Sequence, residues 1–297
     1  MIDPKKFIIG TAQFGTDYGI TNFYGKTKIS EIKKIIKEAD RNNIYFYDTA
    51  PVYGNAEKIL GRFSKKINVI TKLKNINEKR INLKNIELIK KNFYKSLKNL
   101  NLKKIYALLI HSTKDITKDN SELLVSLLKD LKKKGVVKKI GVSIYEKKDF
   151  DNTLKVFKPD LIQIPISIAD QRLLYKNFIK KIKKMNIEIH ARSIFLQGIL
   201  ISNKNKLPIK IKKKFNNYLV NFNKKLKKEK IAPIQACLNF VNSINEIDKI
   251  VLGINSLEHL KEILRNNKKE KINKNIFNTL KFKNSHIINP NNWPNDV

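Results

Sequence analysis

The sequence predicts a (β/α)8 barrel built as a single domain over residues 1–297, and three observations predict it. Eight short apolar runs rich in Ile, Val and Leu recur from end to end. Each is followed by a stretch whose apolar residues return at helical spacing. No Pro- or Gly-rich linker and no low-complexity tail divides the chain, and barrels of this kind routinely hold roughly 250 residues or more in one domain.

The first run, KFIIGTA (6–12), opens into a loop carrying Phe14, Tyr18, Phe23 and Tyr24, candidates for a substrate pocket at the barrel mouth, then a helix over 30–43 with Ser30 as its cap. IYFYDTA (44–50) leads to a helix over 55–66 starting at Asn55, and INVITKL (67–73) to one over 83–100. IYALLIHS (105–112) precedes a helix over 121–135, bracketed by Ser121 at its start and Gly135 at its end. KKIGVSI (138–144) is followed by a helix over 149–157 and LIQIPIS (161–167) by one over 172–186. EIHARSI (188–194) precedes a long helical stretch from Ile209 to Ile244, and KIVLGIN (249–255) a last helix over 256–267 capped by Ser256.

Strands this apolar need cover on both faces, which makes the sheet parallel and its crossovers right-handed. A doubly wound open sheet would use the same alternation, but eight units close naturally into a barrel. The lysine-laden segment 204–230 reads as an inserted helix. Its position after the seventh strand, where barrels often hold phosphate groups, suggests that it folds over a ligand. Residues 285–297 read as a C-terminal tail, in which Trp293 is either a wall of the barrel mouth or an anchor for the tail.

The formal net charge of +36 invites a polyanion partner. Its distribution argues against specific nucleic-acid binding. Only six of the 62 basic residues are arginines (Arg41, Arg62, Arg80, Arg172, Arg192 and Arg265), and lysine is spread over helix after helix as a solvated face would be. A single cysteine, Cys237, in the apolar context PIQACLNFV, reads as a buried inert thiol. The absence of a secretory pattern at MIDPKKFIIG gives a cytoplasmic expectation, and no apolar run approaches the roughly 20 residues of a membrane span. The four histidines show no metal-ligand spacing, so no metal is expected.

Barrel chemistry sits at the carboxyl ends of strands. There the sequence places Asp48, with Tyr53 in the turn beyond it, then Lys72, His111 and Ser143, with Gln163 on the sixth strand. Brought together, these residues make a proton donor for a carbonyl oxygen. An ammonium beside a phenol stabilises its phenolate, a carboxylate holds the ammonium in place, and a histidine gives a hydrogen bond to a substrate oxygen. Each residue alone has a plainer reading as a cap, a packed ring or a surface lysine.

The motif DTAPVYGNAEKILG, with ITKLK and LLIHS downstream, resembles the aldo-keto reductases, over about Gly10 to Leu264. The resemblance implies a barrel that binds a nicotinamide dinucleotide in extended form, which fits a chain without G-x-G-x-x-G. It implies hydride transfer to an aldehyde or ketone, with Asp48, Tyr53, Lys72 and His111 as the catalytic tetrad and Tyr53 as general acid. For the cofactor it implies Ser143 and Gln163 at the carboxamide, Arg192 where an aromatic ring commonly stacks on the nicotinamide, and Gln197 and Gly198 along the pyrophosphate. The family's lysine, serine and arginine that grip the adenosine 2′-phosphate fall on Gly253, Ile254 and His259. The backbone at Asn255 and Ser256 would then serve the phosphate and Glu262 the adenine, with NADPH the inherited expectation and NADH open.

A mouth lined by Tyr, Phe, Arg and Gln suits a small polar carbonyl such as a sugar or sugar derivative. The alternative is a catalytically silent nicotinamide-binding regulatory or scaffold protein.

Overall fold

The computed structural model describes residues 1–22, 24–63, 66–268 and 275–293, so the expectation for Phe23 lies outside the described residues. The strands β1 (Phe7–Gly10), β2 (Phe46–Asp48), β3 (Asn68–Lys72), β4 (Ile105–Ile110), β5 (Val137–Ser143), β6 (Leu161–Pro165), β7 (Glu188–Arg192) and β8 (Lys249–Gly253) form a closed barrel in sequence order. Every neighbouring pair is parallel, including β1 with β8, so the predicted fold is the observed one.

A short helix, α1 (Ala12–Gly15), opens the first loop, followed by α2 (Ile29–Arg41), α3 (Ala56–Phe63), α4 (Leu83–Leu100), α5 (Ser121–Lys133), α6 (Lys147–Val156) and α7 (Phe178–Lys184). Beyond β7 come α8 (Ile209–Lys228) and α9 (Pro233–Asn242), and beyond β8 come α10 (Leu257–Asn266), α11 (Asn275–Thr279) and α12 (Ser285–Ile288). Their buried stripes, such as Ile32, Ile35, Ile36 and Ala39 of α2, pack on the outer faces of the strands and join the main core. Cys237 lies fully buried on α9, where burial pushes its thiol pKa up and keeps it protonated.

Several local expectations are corrected. Ser256 does cap α10, its side chain accepting from the His259 N–H, but Lys28 precedes α2 in place of Ser30, and Asn120 precedes α5 in place of Ser121. Residues 172–186 do not form one helix, because Tyr175 is extended and Lys176 left-handed, which splits a 3-10 turn (Arg172–Asn177) from α7. Segment 204–230 does carry a helix, α8, but none of the residues of α8 lines the cleft described below. Its Phe215 and Tyr218 rings pack on Phe282, and Tyr218 donates to the Leu280 carbonyl, so α8 is the dock for the C-terminal segment. Trp293 is the anchor of that segment, 8% exposed, with its indole N–H given to the Ile287 carbonyl and its ring against Phe215. Phe14, expected at the mouth, is fully buried in the core.

The registers carry one strand parity around the closed barrel. Gly10 pairs with Asp48, Lys72 with Leu109, Ser143 with Gln163 and His190 with Lys249, so these positions share the inner surface. The interior is layered. Ile8, Ile70, Ala107, Leu109 and Leu161 form a dry middle cluster, with Phe46, Tyr106 and Val251 packed against it. Toward the amino ends of the strands, Glu188 accepts from the Tyr106 hydroxyl at 2.7 Å, lies 2.6 Å from His190 Nε2 and pairs with Lys139. Lys249 closes this floor, its ammonium 3.7 Å from the centre of the Phe46 ring.

Burial alone would raise the pKa of Glu188, but hydrogen bonds from His190, Lys139 and Tyr106 together with the His190 charge outweigh it and hold the carboxyl far below the usual range. A carboxyl with a folded pKa below its unfolded value of about 4.3 stabilises the fold above that pH, and the contribution is lost as pH falls through the folded value. In urea unfolding at a series of pH values, Glu188→Gln is therefore expected to cost about 2 kcal/mol at pH 7 and to show a shallower loss of stability below about pH 5 than the unaltered chain.

Candidate active site

At the carboxyl ends of the strands the same inner surface turns polar. Asp48 ends β2 at 4% exposed and Lys72 ends β3 at 2%, and the lysine Nζ donates to Asp48 Oδ1 at 2.6 Å and to the Thr49 carbonyl at 3.0 Å. The other carboxylate oxygen, Oδ2, accepts from Gln163 Nε2 at 2.8 Å. The Asp48 and Lys72 side chains are thus tied to three strands, β2, β3 and β6. Leaving either charge without its partner in so dry a site costs about 3–5 kcal/mol.

Above the pair stands Tyr53, its ring centre 5.3 Å from Lys72 Nζ. A tight turn sets its position. Tyr53 N–H donates to the Ala50 carbonyl at 3.0 Å, and the Tyr53 carbonyl accepts from Ala56 at the start of α3. Gly54 then takes φ +56, and its α-carbon faces α1 so closely that a Cβ would lie 2.3 Å from the Gly15 carbonyl oxygen. A Cβ on Gly15 would in turn lie 1.8 Å from the Tyr53 carbonyl oxygen. Two glycines in contact are what let the turn bearing Tyr53 dock on the first loop.

His111 follows β4, its ring 6.4 Å from that of Tyr53 and at 89° to it. Arg192 ends β7 and lays its guanidinium 4.1 Å from the centre of the Tyr145 ring, while Nη2 donates to the Ile144 carbonyl at 3.2 Å. One face of that guanidinium is therefore taken by Tyr145, a residue that the strand-end pattern missed because it lies two positions beyond Ser143 in the loop.

The electrostatics differ from the sequence expectation in one respect. Burial pushes the Tyr53 phenol well above its ordinary value, and the Asp48 carboxylate adds to the rise, while Arg192 pulls it down. Asp48 offsets the Lys72 ammonium at 2.6 Å, so a net lowering of the phenol pKa is not what this geometry yields; Tyr53 is held fully protonated at neutral pH. Burial brings His111 down to about 4, with Lys72 and Arg192 also lowering it against Asp48. The imidazole is neutral at pH 7, with one N–H to give and one lone pair to receive.

The cleft above these residues has a volume of about 1150 Å³, beyond the usual range of roughly 300–1000 Å³ for small-molecule pockets. Asp48, Tyr53, Lys72 and His111 line it, as do Ser143, Gln163, Arg192, Gln197, Gly198, Gly253, Asn255, Ser256 and Glu262. Tyr18 and Tyr24 of the first loop also line it. That loop is latched across the opening, with Thr21 Oγ1 donating to the Gln197 carbonyl at 3.0 Å. Gln13 and Glu31 are further lining residues that sequence reasoning passed over, since neither ends a strand. Gln13 is 7% exposed, and its Oε1 has no hydrogen-bond partner among the described residues. A long cleft with an unpartnered buried acceptor and a glycine, Gly253, at its wall fits an extended ligand such as a dinucleotide beside a small substrate.

The neutral state of His111 can be followed directly. Its ring resonances in an NMR pH titration are expected to hold the neutral position from pH 8 down to about pH 5.5 and to titrate below it; a ring that titrates near the ordinary histidine value of about 6.5 would contradict the burial argument.

A model of the aldo/keto reductase family matches residues 6–284. No curated protein matches the chain in sequence. Among solved structures, an aldo-keto reductase from Bacillus halodurans in its holo form is similar at a TM-score of 0.70 and 18% identity, over 93% of this chain and 91% of that one. A glycerol dehydrogenase from Gluconobacter oxydans is similar at a TM-score of 0.68 and 20% identity, over 93% and 90% of the two chains. With the family match running through all eight strands and the cleft at their carboxyl ends, the chain belongs to the aldo/keto reductase family.

Proposed function

We propose that the protein is a nicotinamide-dependent oxidoreductase that reduces a small polar aldehyde or ketone, with Tyr53 as the proton donor. The observation that carries this reading is the buried Asp48–Lys72 pair beneath Tyr53 at the base of a dinucleotide-sized cleft. A protein that only bound a nucleotide would gain nothing from a buried ammonium held at 2.6 Å from a carboxylate in this position.

The dinucleotide, when bound, supplies hydride to the carbonyl carbon. Ser143 and Arg192 would hold its nicotinamide end, and Gln197 and Gly198 the diphosphate. Gln163 lines the same end, but its amide N–H is given to Asp48, so it would act through its remaining groups and by fixing the carboxylate.

As negative charge develops on the carbonyl oxygen, Tyr53 Oη gives up its proton, and the charge left on the phenolate is met by Lys72 and Arg192. The raised pKa suits the resting acid, because the proton stays on the phenol until the oxygen becomes the stronger base. Neutral His111 orients the carbonyl oxygen through its N–H without competing as an acid. Tyr18, Tyr24 and Asn22 of the first loop give the mouth both flat and polar surfaces, which supports a hydroxylated substrate such as a sugar.

In steady-state assays over a panel of aldoses, ketoses and simple aldehydes, Tyr53→Phe is expected to lower kcat by roughly 10²–10⁴-fold, with nucleotide dissociation constants unchanged within about twofold. A Tyr53→Phe enzyme that keeps its kcat would remove the phenol from the mechanism, and turnover confined to apolar aldehydes would remove the polar substrate.

A further inference from the structure

Resting on the reading just proposed, the end of the cleft away from Tyr53, where α10 meets α2, is left for the adenosine of the dinucleotide. Two carboxylates line it, Glu31 from α2 and Glu262 from α10, together with Asn255, Ser256 and His259. Glu31 reaches across to the first turn of α10, and its Oε1 accepts from the Leu257 N–H at 2.8 Å. The amide that a helix start would offer to a phosphate is therefore already bonded to a carboxylate of this chain. A second α10 amide, that of His259, is taken by Ser256 Oγ at 3.1 Å.

Among the described residues the cations around this carboxylate are exposed ones. The ammonium of Lys34 lies 3.6 Å from Glu31 Oε2 and is 63% exposed, a pairing of little strength. His259 is brought down to about 4 by burial, so it presents a neutral ring, with Nε2 buried and without a partner among the described residues. Lys26 and Lys28 line the cleft from the exposed rim and would favour any diphosphate, phosphorylated on its ribose or not.

A 2′-phosphate placed here would lose its helix-end amide and face the Glu31 carboxylate, whereas a free ribose diol could donate to Glu31. We propose that Glu31 makes this end of the cleft a site for an unphosphorylated adenosine ribose, so that the protein takes NADH in preference to NADPH. This departs from the NADPH expectation inherited with the sequence pattern.

The test is isothermal titration calorimetry of the full chain, without substrate, against NADH, NADPH, 5′-AMP and 2′,5′-ADP. NADH is expected to bind at least about tenfold more tightly than NADPH, and 5′-AMP more tightly than 2′,5′-ADP. In Glu31→Gln the NADPH-to-NADH ratio of dissociation constants should fall by about tenfold, mainly through tighter NADPH binding. Equal or tighter binding of NADPH to the unaltered chain, or a ratio that does not move in a folded Glu31→Gln variant, would overturn the assignment while leaving the oxidoreductase reading intact. Failure of both dinucleotides to bind would overturn that reading, and this inference with it. The comparison on the unaltered chain decides the point even if Glu31→Gln does not fold.

Discussion

Closure of the barrel with a single strand parity is the constraint on which the site depends. A slip of one residue between any two strands would turn a whole face from the interior to the helical layer. Because the ladders hold one parity from β1 round to β8, Gly10, Asp48, Lys72, Ser143 and Gln163 arrive on the same inner surface from strands far apart in sequence. Asp48 and Gln163 are 115 residues apart along the chain, yet they share a hydrogen bond of 2.8 Å. The outward face of the same strands is almost wholly apolar, so a slip would bury charges against the helices and expose the core to the cleft. The penalty for misregister is therefore largest at the strands that carry the Asp48 and Lys72 charges.

The same parity explains why the barrel carries charge at both ends and none in the middle. Glu188, Lys139, His190 and Lys249 close the floor, the aliphatic cluster around Ile8, Ile70 and Leu109 separates it from the cleft, and Asp48 and Lys72 begin the upper layer. The two ionic layers have opposite tasks. At the floor the Glu188 carboxylate is met by Tyr106, His190 and Lys139 inside the protein, which is the condition for buried charge to be tolerated. In the cleft the phenol of Tyr53 and the ring of His111 stand in water-poor surroundings that shift both pKa values toward the neutral form. Groups held neutral beside a fixed ion pair suit the proposed proton transfer, whose charge would appear only during the reaction.

Much of this was legible in the sequence for a physical reason. Parallel barrel strands are apolar on both faces, so they stand out as runs, and an ionisable residue at the end of such a run, as in FYD, ITK and LLIH, is conspicuous. The cleft residues missed by that logic lie where no run ends. Tyr145 is in a loop and stacks on Arg192 through a contact that spacing does not encode, and Glu31 looks like any first-turn helix carboxylate until the fold brings the start of α10 beside it. Two of the expected helix caps failed on similar grounds, while Ser256 held. Ser30 and Ser121 have good cap chemistry, but the chain enters α2 and α5 one or two residues earlier than they require. The segment 172–186 has helical periodicity throughout, and its break at Tyr175 and Lys176 leaves no mark in the apolar pattern.

In the long segment after β7, helical spacing and barrel analogy part company. Its periodicity correctly announced a helix, and barrel analogy then assigned that helix to the ligand. The aromatic content of the chain points elsewhere. Phe215 on α8 meets Phe282 and Trp293 of the C-terminal segment, and Tyr218, stacked on Phe222 of the same helix, meets Phe282, so this helix uses its apolar face to hold that segment down. Closing the cleft falls instead to the first loop, through Thr21 on Gln197 and through Gly198, where φ is +90 and a Cβ would strike Thr21 Oγ1 at 1.9 Å. The strap over the cleft is thus held largely by polar contacts, the Thr21 hydroxyl on the Gln197 carbonyl and the Thr27 hydroxyl on the Asn255 carbonyl, whereas α8 is anchored by packed rings. Segments that bury little apolar surface open at lower free-energy cost than packed helices, which is what a ligand needs in order to enter and leave beneath them.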